Sequence, residues 1–246
     1  LVYANTKWGK YRYLKTGARW KPYLPQTQWA SRPAVSSMLK RWGAVYLKPN
    51  NGTGGHGIMK IIRSGNGRYT LKSGYATRTF RSFGSLYSAV SRQTARRGYL
   101  VQKAIPLLHY KKRPFDLRIM VQRNRHRGWD VTGMVGRLAR PKKIVTNYHS
   151  GGTPMPADKL FAPHIRGKRR ARFVQELKNL GRGVSEYMSA KYPHFPAFGV
   201  DVAIDGKLKP WILEVNTKPD KSIFNALKNK TMYRRILSYA RMQKRT

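Results

Sequence analysis

Two short apolar runs, Phe198 to Ile204 and Trp211 to Val215, each carry a carboxylate in a chain that has very few. Only 9 Asp+Glu stand against 51 Lys+Arg in 246 residues. Runs of this length, separated by Asp205-Gly206 and a few polar residues, read as neighbouring antiparallel strands. With Asp205 paired to Pro210 across a four-residue loop, Asp201 lies directly opposite Glu214. Glu214 and Asn216, two apart, share a strand face. Like charges set opposite one another are unfavourable unless a cation sits between them. That cation is either a bound metal or the surplus Lys/Arg. Two carboxylates and an amide oxygen on one face are hard donors suited to Mg²⁺, so Asp201, Glu214 and Asn216 are the candidate metal ligands.

The rest of the chain supplies a mixed α+β framework in two successive halves. Residues 1–30 are basic and aromatic, punctuated by Pro22 and Pro25, and read as an arm packed on the body. Residues 31–105 form a first subdomain. After Arg32-Pro33, Val35, Met38, Leu39 and Trp42 recur at helical spacing. Strands follow at Ala44 to Lys48, Ile58 to Ile62, Tyr69 to Lys72 and Tyr99 to Lys103, with a helix from Phe83 to Arg96. Residues 106–246 form a second subdomain. Phe115 to Gln122 pairs as a hairpin with Trp129 to Leu138, and Phe173, Leu177, Leu180, Val184 and Met188 stripe a long helix. One basic helix carrying Ile223, Leu227, Ile236 and Leu237 is expected to close the chain.

Two further motifs carry chemistry. Lys48-Pro49-Asn50-Asn51-Gly52-Thr53-Gly54-Gly55-His56-Gly57 joins two strands through a glycine-rich loop. Glycines let backbone N–H groups approach phosphate oxygens, and a lysine at the strand end adds a fixed charge. It is neither a Walker A loop nor a Rossmann turn, and a plain flexible hairpin is the competing reading. Arg113-Pro114-Phe115-Asp116-Leu117-Arg118 places Asp116 and Arg118 on one strand face, with Arg137 on the partner strand and Thr146-Asn147 beyond. Such a cluster holds either a structural ion pair or a polyanionic ligand.

In this order the motifs resemble the ATP-grasp superfamily, and most closely its YheC/YheD group of endospore coat-associated proteins. Asn5-Thr6-Lys7-Trp8, Tyr23-Leu24-Pro25-Gln26-Thr27, the Lys48-Pro49 loop, Arg113 to Arg118, and Thr146-Asn147 with Gly151-Gly152 carry the resemblance. It implies an ATP-grasp fold, two α+β subdomains with the nucleotide between them, and ATP and Mg²⁺ as cofactors. Lys48 would touch the phosphates, and Gly54, Gly55, His56 and Gly57 would close over them. The hinge at Gln102, Lys103 and Ile105 would bind adenine, and Asp116 the ribose. Asp201, Glu214 and Asn216 match the magnesium ligands. Arg137 and Asn147 match groups that contact the γ-phosphate and an acyl-phosphate. Arg118 and Arg137 would supply the charge lost where Gly199 and Val145 replace arginines found in related ligases. Lys103 replaces a common hinge acid.

The implied activity is an ATP-dependent carboxylate–amine ligase, acting through an acyl-phosphate on an acidic peptide or polymer, with an amine as nucleophile. Two other readings stay open: a nucleic-acid- or anionic-polymer-binding protein on the same scaffold, motivated by the formal charge of +42, and a phosphotransferase to a small hydroxyl compound. Absence of cysteine excludes disulfides, zinc-thiolate sites and cysteine nucleophiles. No apolar run approaches the length of a membrane span, and no apolar leader is visible, although the chain opens at Leu1 without methionine. The expected location is cytoplasmic and, by the resemblance, spore-associated.

Overall fold

The computed structural model describes residues 3–52, 54–94, 97–141, 146 and 151–243. Two antiparallel sheets organise them. The first contains β1 (Thr27–Trp29), β2 (Ala44–Pro49), β3 (Met59–Arg63), β4 (Tyr69–Ser73), β5 (Ala76–Phe80) and β6 (Tyr99–Lys103), in the order β1-β6-β2-β3-β4-β5. Its strands alternate because one face is covered: β2 buries Val45, Leu47 and Pro49 and leaves Tyr46 and Lys48 half-buried on the other face. Helices α2 (Arg32–Trp42) and α3 (Phe83–Thr94) cover it, packing Val35, Met38, Leu39, Leu86 and Val90 on Val45, Leu47, Met59 and Ile61. Each fully buried aliphatic side chain contributes about 1.5–3 kcal/mol. Local sequence fixes α2: the Ser31 hydroxyl accepts from the Ala34 N–H at 3.3 Å, and Gly43 ends the helix at φ +70°.

The second sheet runs β10-β9-β8-β11-β12, with β7 (His109–Tyr110) clipped to β8. Its strands are β8 (Arg113–Arg123), β9 (Trp129–Leu138), β10 (Thr153–Pro156), β11 (Ala197–Ile204) and β12 (Pro210–Asn216). Both faces are covered, so β11 is buried along its whole length. Helix α5 (Gly167–Lys191) lays Leu177, Leu180, Val184 and Met188 on Phe115, Leu117, Ile119 and Phe198. Its approach is close: a Cβ on Gly181 would lie 2.7 Å from Ile119 Cγ2. The opposite face meets α6 (Ser222–Asn225) and α7 (Thr231–Met242), where Ile223, Phe224, Leu227 and Ile236 pack on Met120 and Val135. A short helix α4 (Ala157–Phe161) follows β10.

Two expectations are corrected. The single closing helix is two, α6 and α7, separated by residues 226–230. The opening arm packs on the body through several elements. Its helix α1 (Lys7–Thr16) packs on α5 and β12, a 3-10 turn spans Lys21–Tyr23, and β1 is an edge strand of the first sheet. Leu14 and Trp20 are therefore core residues, and the arm joins the two sheets. Finally, the β11–β12 hairpin closes one residue tighter than expected, with Ile204 opposite Pro210. A bulge at Leu213 then restores Asp201 opposite Glu214.

Candidate functional site

A cavity of about 390 Å³ opens between the sheets. The glycine loop, the segment leaving β6, and the ends of β8, β9, β11 and β12 line it. Every candidate site residue lines it except Gly57 and Asn147. Gly57 lies behind the loop, where its carbonyl accepts from the Tyr99 hydroxyl at 3.1 Å; a Cβ there would come within 2.9 Å of that oxygen. Asn147 lies outside the described residues.

The cavity's charged floor follows from strand register. Asp116 sits opposite Arg137, and Asp201 sits between Arg118 and Glu214. Directly opposed residues are closer than residues two apart on one strand, so Asp116 and Arg118 each take a cross-strand partner. Arg137 donates from Nε and Nη2 to the two oxygens of Asp116 at 2.7 and 2.6 Å, and its Nη2 lies 3.1 Å from Asp201 Oδ2. Arg118 holds Asp201 bidentately, through a short Nε bond to Oδ1 and a 3.0 Å bond to Oδ2. All four are buried. Burial by itself would disfavour the charged forms, but the arginines hold the Asp201 carboxyl below its usual range and the two aspartates hold Arg137 above its own. The quartet is neutral in sum and rigid in geometry.

Pro219, with the stem of Arg118, explains Gly199. A Cβ at Gly199 would lie 3.2 Å from Arg118 Cδ and 2.7 Å from Pro219 Cβ. A side chain on β11 there would collide with Pro219 and crowd the arginine that β8 already supplies.

Lys48 stands across the cavity at the end of β2. Its Nζ donates to Gln102 Oε1 at 2.5 Å, while Gln102 Nε2 donates to Thr27 Oγ1 at 3.0 Å. Burial lowers the Lys48 ammonium to about 8, against the opposing pull of Glu214. Neighbouring Tyr46 is pushed up to about 12 by burial and by Asp116. On the hinge, the Lys103 ammonium lies 3.7 Å from the Trp42 ring centre and 5.1 Å from that of Trp211.

At the metal candidates the structure shows the competing reading of the sequence: protein cations face both carboxylates. Lys7 Nζ lies 3.1 Å from Glu214 Oε1, and the arginines hold both oxygens of Asp201. Even so, Glu214 is partly open to the cavity. Asn216 donates its amide N–H to the Gly199 carbonyl at 3.4 Å, which leaves its Oδ1 as an acceptor. Those two side chains offer hard oxygen donors that fit a divalent cation. Asp201 has spent three of about four acceptor positions on guanidiniums and serves first as their counter-ion. Likewise, both oxygens of Asp116, expected at a ribose, engage Arg137, so its first task is to aim that guanidinium.

Lys7, Tyr46, Leu107, Leu213, Lys218 and Asp220, to which the sequence motifs assign no site role, also line the cavity. Lys218 and Asp220 follow Asn216 so closely that adjacency alone flags them. Lys7 carries a subtler signal, a lysine at the first position of a helix, against the helix dipole.

A glycine hairpin facing a charged antiparallel sheet across a hinge is the ATP-grasp architecture, and solved ATP-grasp structures superimpose on the chain. D-cycloserine synthetase DcsG aligns with a TM-score of 0.58 at 13% identity, over 97% of this chain and 70% of that one. N5-carboxyaminoimidazole synthase from Aspergillus clavatus, in complex with ADP and 5-aminoimidazole ribonucleotide, aligns at 0.57 and 10% identity, over 96% and 51%. Residues 3–242 match the family described as YheC/D like ATP-grasp, and the chain belongs to that family. It is 27% identical over 231 residues to endospore coat-associated protein YheD of Bacillus subtilis (strain 168), over 89% of this chain and 49% of YheD. It is 24% identical over 222 residues to YheC of the same organism, over 87% and 60%. The chain thus spans between half and three fifths of the relatives it matches. Among the described residues no helix is long and apolar enough to cross a membrane.

Proposed function

We propose that the chain is an ATP-dependent carboxylate–amine ligase that forms an acyl-phosphate in the cavity between its sheets. The observation that carries this is convergence: Lys48, two buried arginines on fixed counter-ions, and the Glu214–Asn216 donor pair all face one cavity beneath a glycine loop. Lys48 and the backbone of Gly54, Gly55 and His56 bind the phosphates. The backbone from Gln102 to Ile105 receives adenine. Glu214 and Asn216, with the remaining acceptor position of Asp201, would hold Mg²⁺, which would offset phosphate charge. Arg118 and Arg137 are aimed in advance at the charge that develops as a substrate carboxylate takes the γ-phosphoryl group. An amine then displaces phosphate to give the amide.

The substrate reading rests on charge. Six lysine and arginine side chains line the cavity against four carboxylates, on a chain of formal charge +42. That excess suits an acidic peptide or anionic polymer as acyl donor, and a steep loss of rate with added salt would support it. The coat association of YheC and YheD makes the spore the first place to look for this substrate.

The test is calorimetric titration of Mg-ATP into wild type and Glu214→Ala. Binding to wild type that is at least tenfold weaker in the variant supports the site and justifies screening acidic peptides with amines for phosphate release. No binding to either would overturn the ligase reading and leave an ATP-grasp scaffold that binds anionic polymers.

A further inference from the structure

The Asn5-Thr6-Lys7-Trp8 stretch has no part in the proposed reaction, yet the structure inserts it between the loop and the carboxylates. The Lys7 ammonium donates to the Gly52 carbonyl at 2.6 Å and lies 3.1 Å from Glu214 Oε1. One side chain therefore joins the glycine loop of the first sheet to the metal-candidate strand of the second. Its surroundings are built to hold it there. The four N–H groups that open α1 all find acceptors, two of them on the loop itself: Thr6 N to Ala4 O, Lys7 N to Asn50 O at 3.2 Å, Trp8 N to Asn50 Oδ1 at 2.9 Å, and Gly9 N to Thr6 Oγ1. Asn5 exchanges hydrogen bonds with the Thr217 hydroxyl just past Asn216, at 3.1 and 3.2 Å.

Helix stability does not explain a lysine at this place. At the first position of α1 its charge opposes the helix macrodipole, and no acidic residue in the first turn offsets it. Lys10, one turn on, is buried near the same carboxylate, and burial lowers its ammonium while Glu214 raises it. A locally unfavourable residue held in a dense set of contacts at a cavity marks function rather than packing.

We infer that Lys7 is a positioning residue that latches the glycine loop to Glu214, so that the loop and the metal-binding carboxylate are set relative to each other before nucleotide arrives. The inference rests on reading the cavity as the Mg-nucleotide site, and it assigns the opening arm a role in that site.

The experiment uses the full chain as wild type, Lys7→Met, Lys7→Arg and Glu214→Gln. Amide hydrogen exchange is followed without ligand, and Mg-ADP binding is measured by calorimetry. Lys7→Met should speed exchange at Gly54, Gly55 and Ile58 at least fivefold while α1 from Tyr11 to Thr16 stays within twofold. Glu214→Gln, which breaks the contact from its other end, should speed the same loop amides, and Lys7→Arg should restore them. Mg-ADP should bind Lys7→Met at least fivefold more weakly than wild type. Acceleration in α1 instead of the loop would make Lys7 a mere helix residue and overturn the inference, as would loop exchange changed less than fivefold. If wild type fails to bind Mg-ADP, the nucleotide reading falls, while the exchange rates still decide whether the latch exists.

Discussion

The two sheets meet one cavity with opposite chemistry. The first, below α2 and α3, has an apolar core of Val45, Leu47, Met59, Ile61 and Val101, and gives the cavity backbone in the glycine loop with Lys48 and Lys103 as its cations. The second buries Asp116, Arg118, Arg137 and Asp201 as an ion-paired quartet in its own ladder. The contrast is mechanical. Charges that the proposed reaction needs aimed sit on strands covered on both faces, whereas the loop proposed to close over phosphate sits on a hairpin between two strands.

The largest expected effect breaks the rigid side. Arg137→Met leaves Asp116 without its bidentate partner and strips Asp201 of one of two. Orphaning a buried carboxylate in this way should cost about 3–5 kcal/mol, read as a lower denaturation midpoint in urea. Adding Asp116→Leu should return at least half of that loss, because an apolar pair carries no desolvation cost. If the single variant costs less than about 1 kcal/mol, the range of exposed ion pairs, the quartet is not the rigid frame described here.

The first sheet's side is tested by pH. Free Lys48 titrates at about 8 because burial disfavours its charge, and phosphate binding needs the ammonium. Mg-ATP affinity should therefore be level below pH 8 and about tenfold weaker by pH 9. Stability of the unliganded protein should move the other way. Between pH 8 and the ordinary lysine value the unfolded chain keeps the Lys48 proton while the folded chain has released it, so the Lys48 contribution to stability rises with pH across that window. Below pH 8 both states are protonated and the full cost of burying the charge is present. Both trends should disappear in Lys48→Met; an affinity that stays level to pH 9 would remove Lys48 from the phosphate site.

The same contrast governs what could be read from sequence. The hairpins β8–β9 and β11–β12 are legible because long apolar alternation and short polar turns leave little choice of register, and Asp201 does fall opposite Glu214. The route differs, since a three-residue turn and the Leu213 bulge cancel, and two compensating shifts leave no mark on hydrophobic pattern. Which charges pair was not legible: Asp116 and Arg118 share a face two residues apart, but each finds a nearer partner across the ladder. Lys7 was hidden for a different reason. Its partner Glu214 lies at the far end of the chain, and no local pattern encodes a contact that exists only once both sheets have formed.

The smallest effect lies where the sheets meet. Lys103 at the end of β6 places its ammonium against Trp42, from the helix covering the first sheet, and Trp211, from β12 of the second. Both indoles are held in place, Trp42 donating to Gln26 Oε1 and Trp211 to Asp205 Oδ2, each at 2.8 Å. A cation between two fixed aromatic faces pins the hinge without needing the acid common at this position. The site is partly exposed, so Lys103→Met should cost about 0.5–1 kcal/mol, a fall in Tm of about 1–4 °C for a chain of this size. Trp211→Leu should cost less in the Lys103→Met background than in wild type, because both changes remove the same contact. Additive losses would mean that the lysine merely lies between the rings and that the hinge angle is set by backbone pairing alone, at Lys103 N to Gln26 O and Ala104 N to Ala44 O.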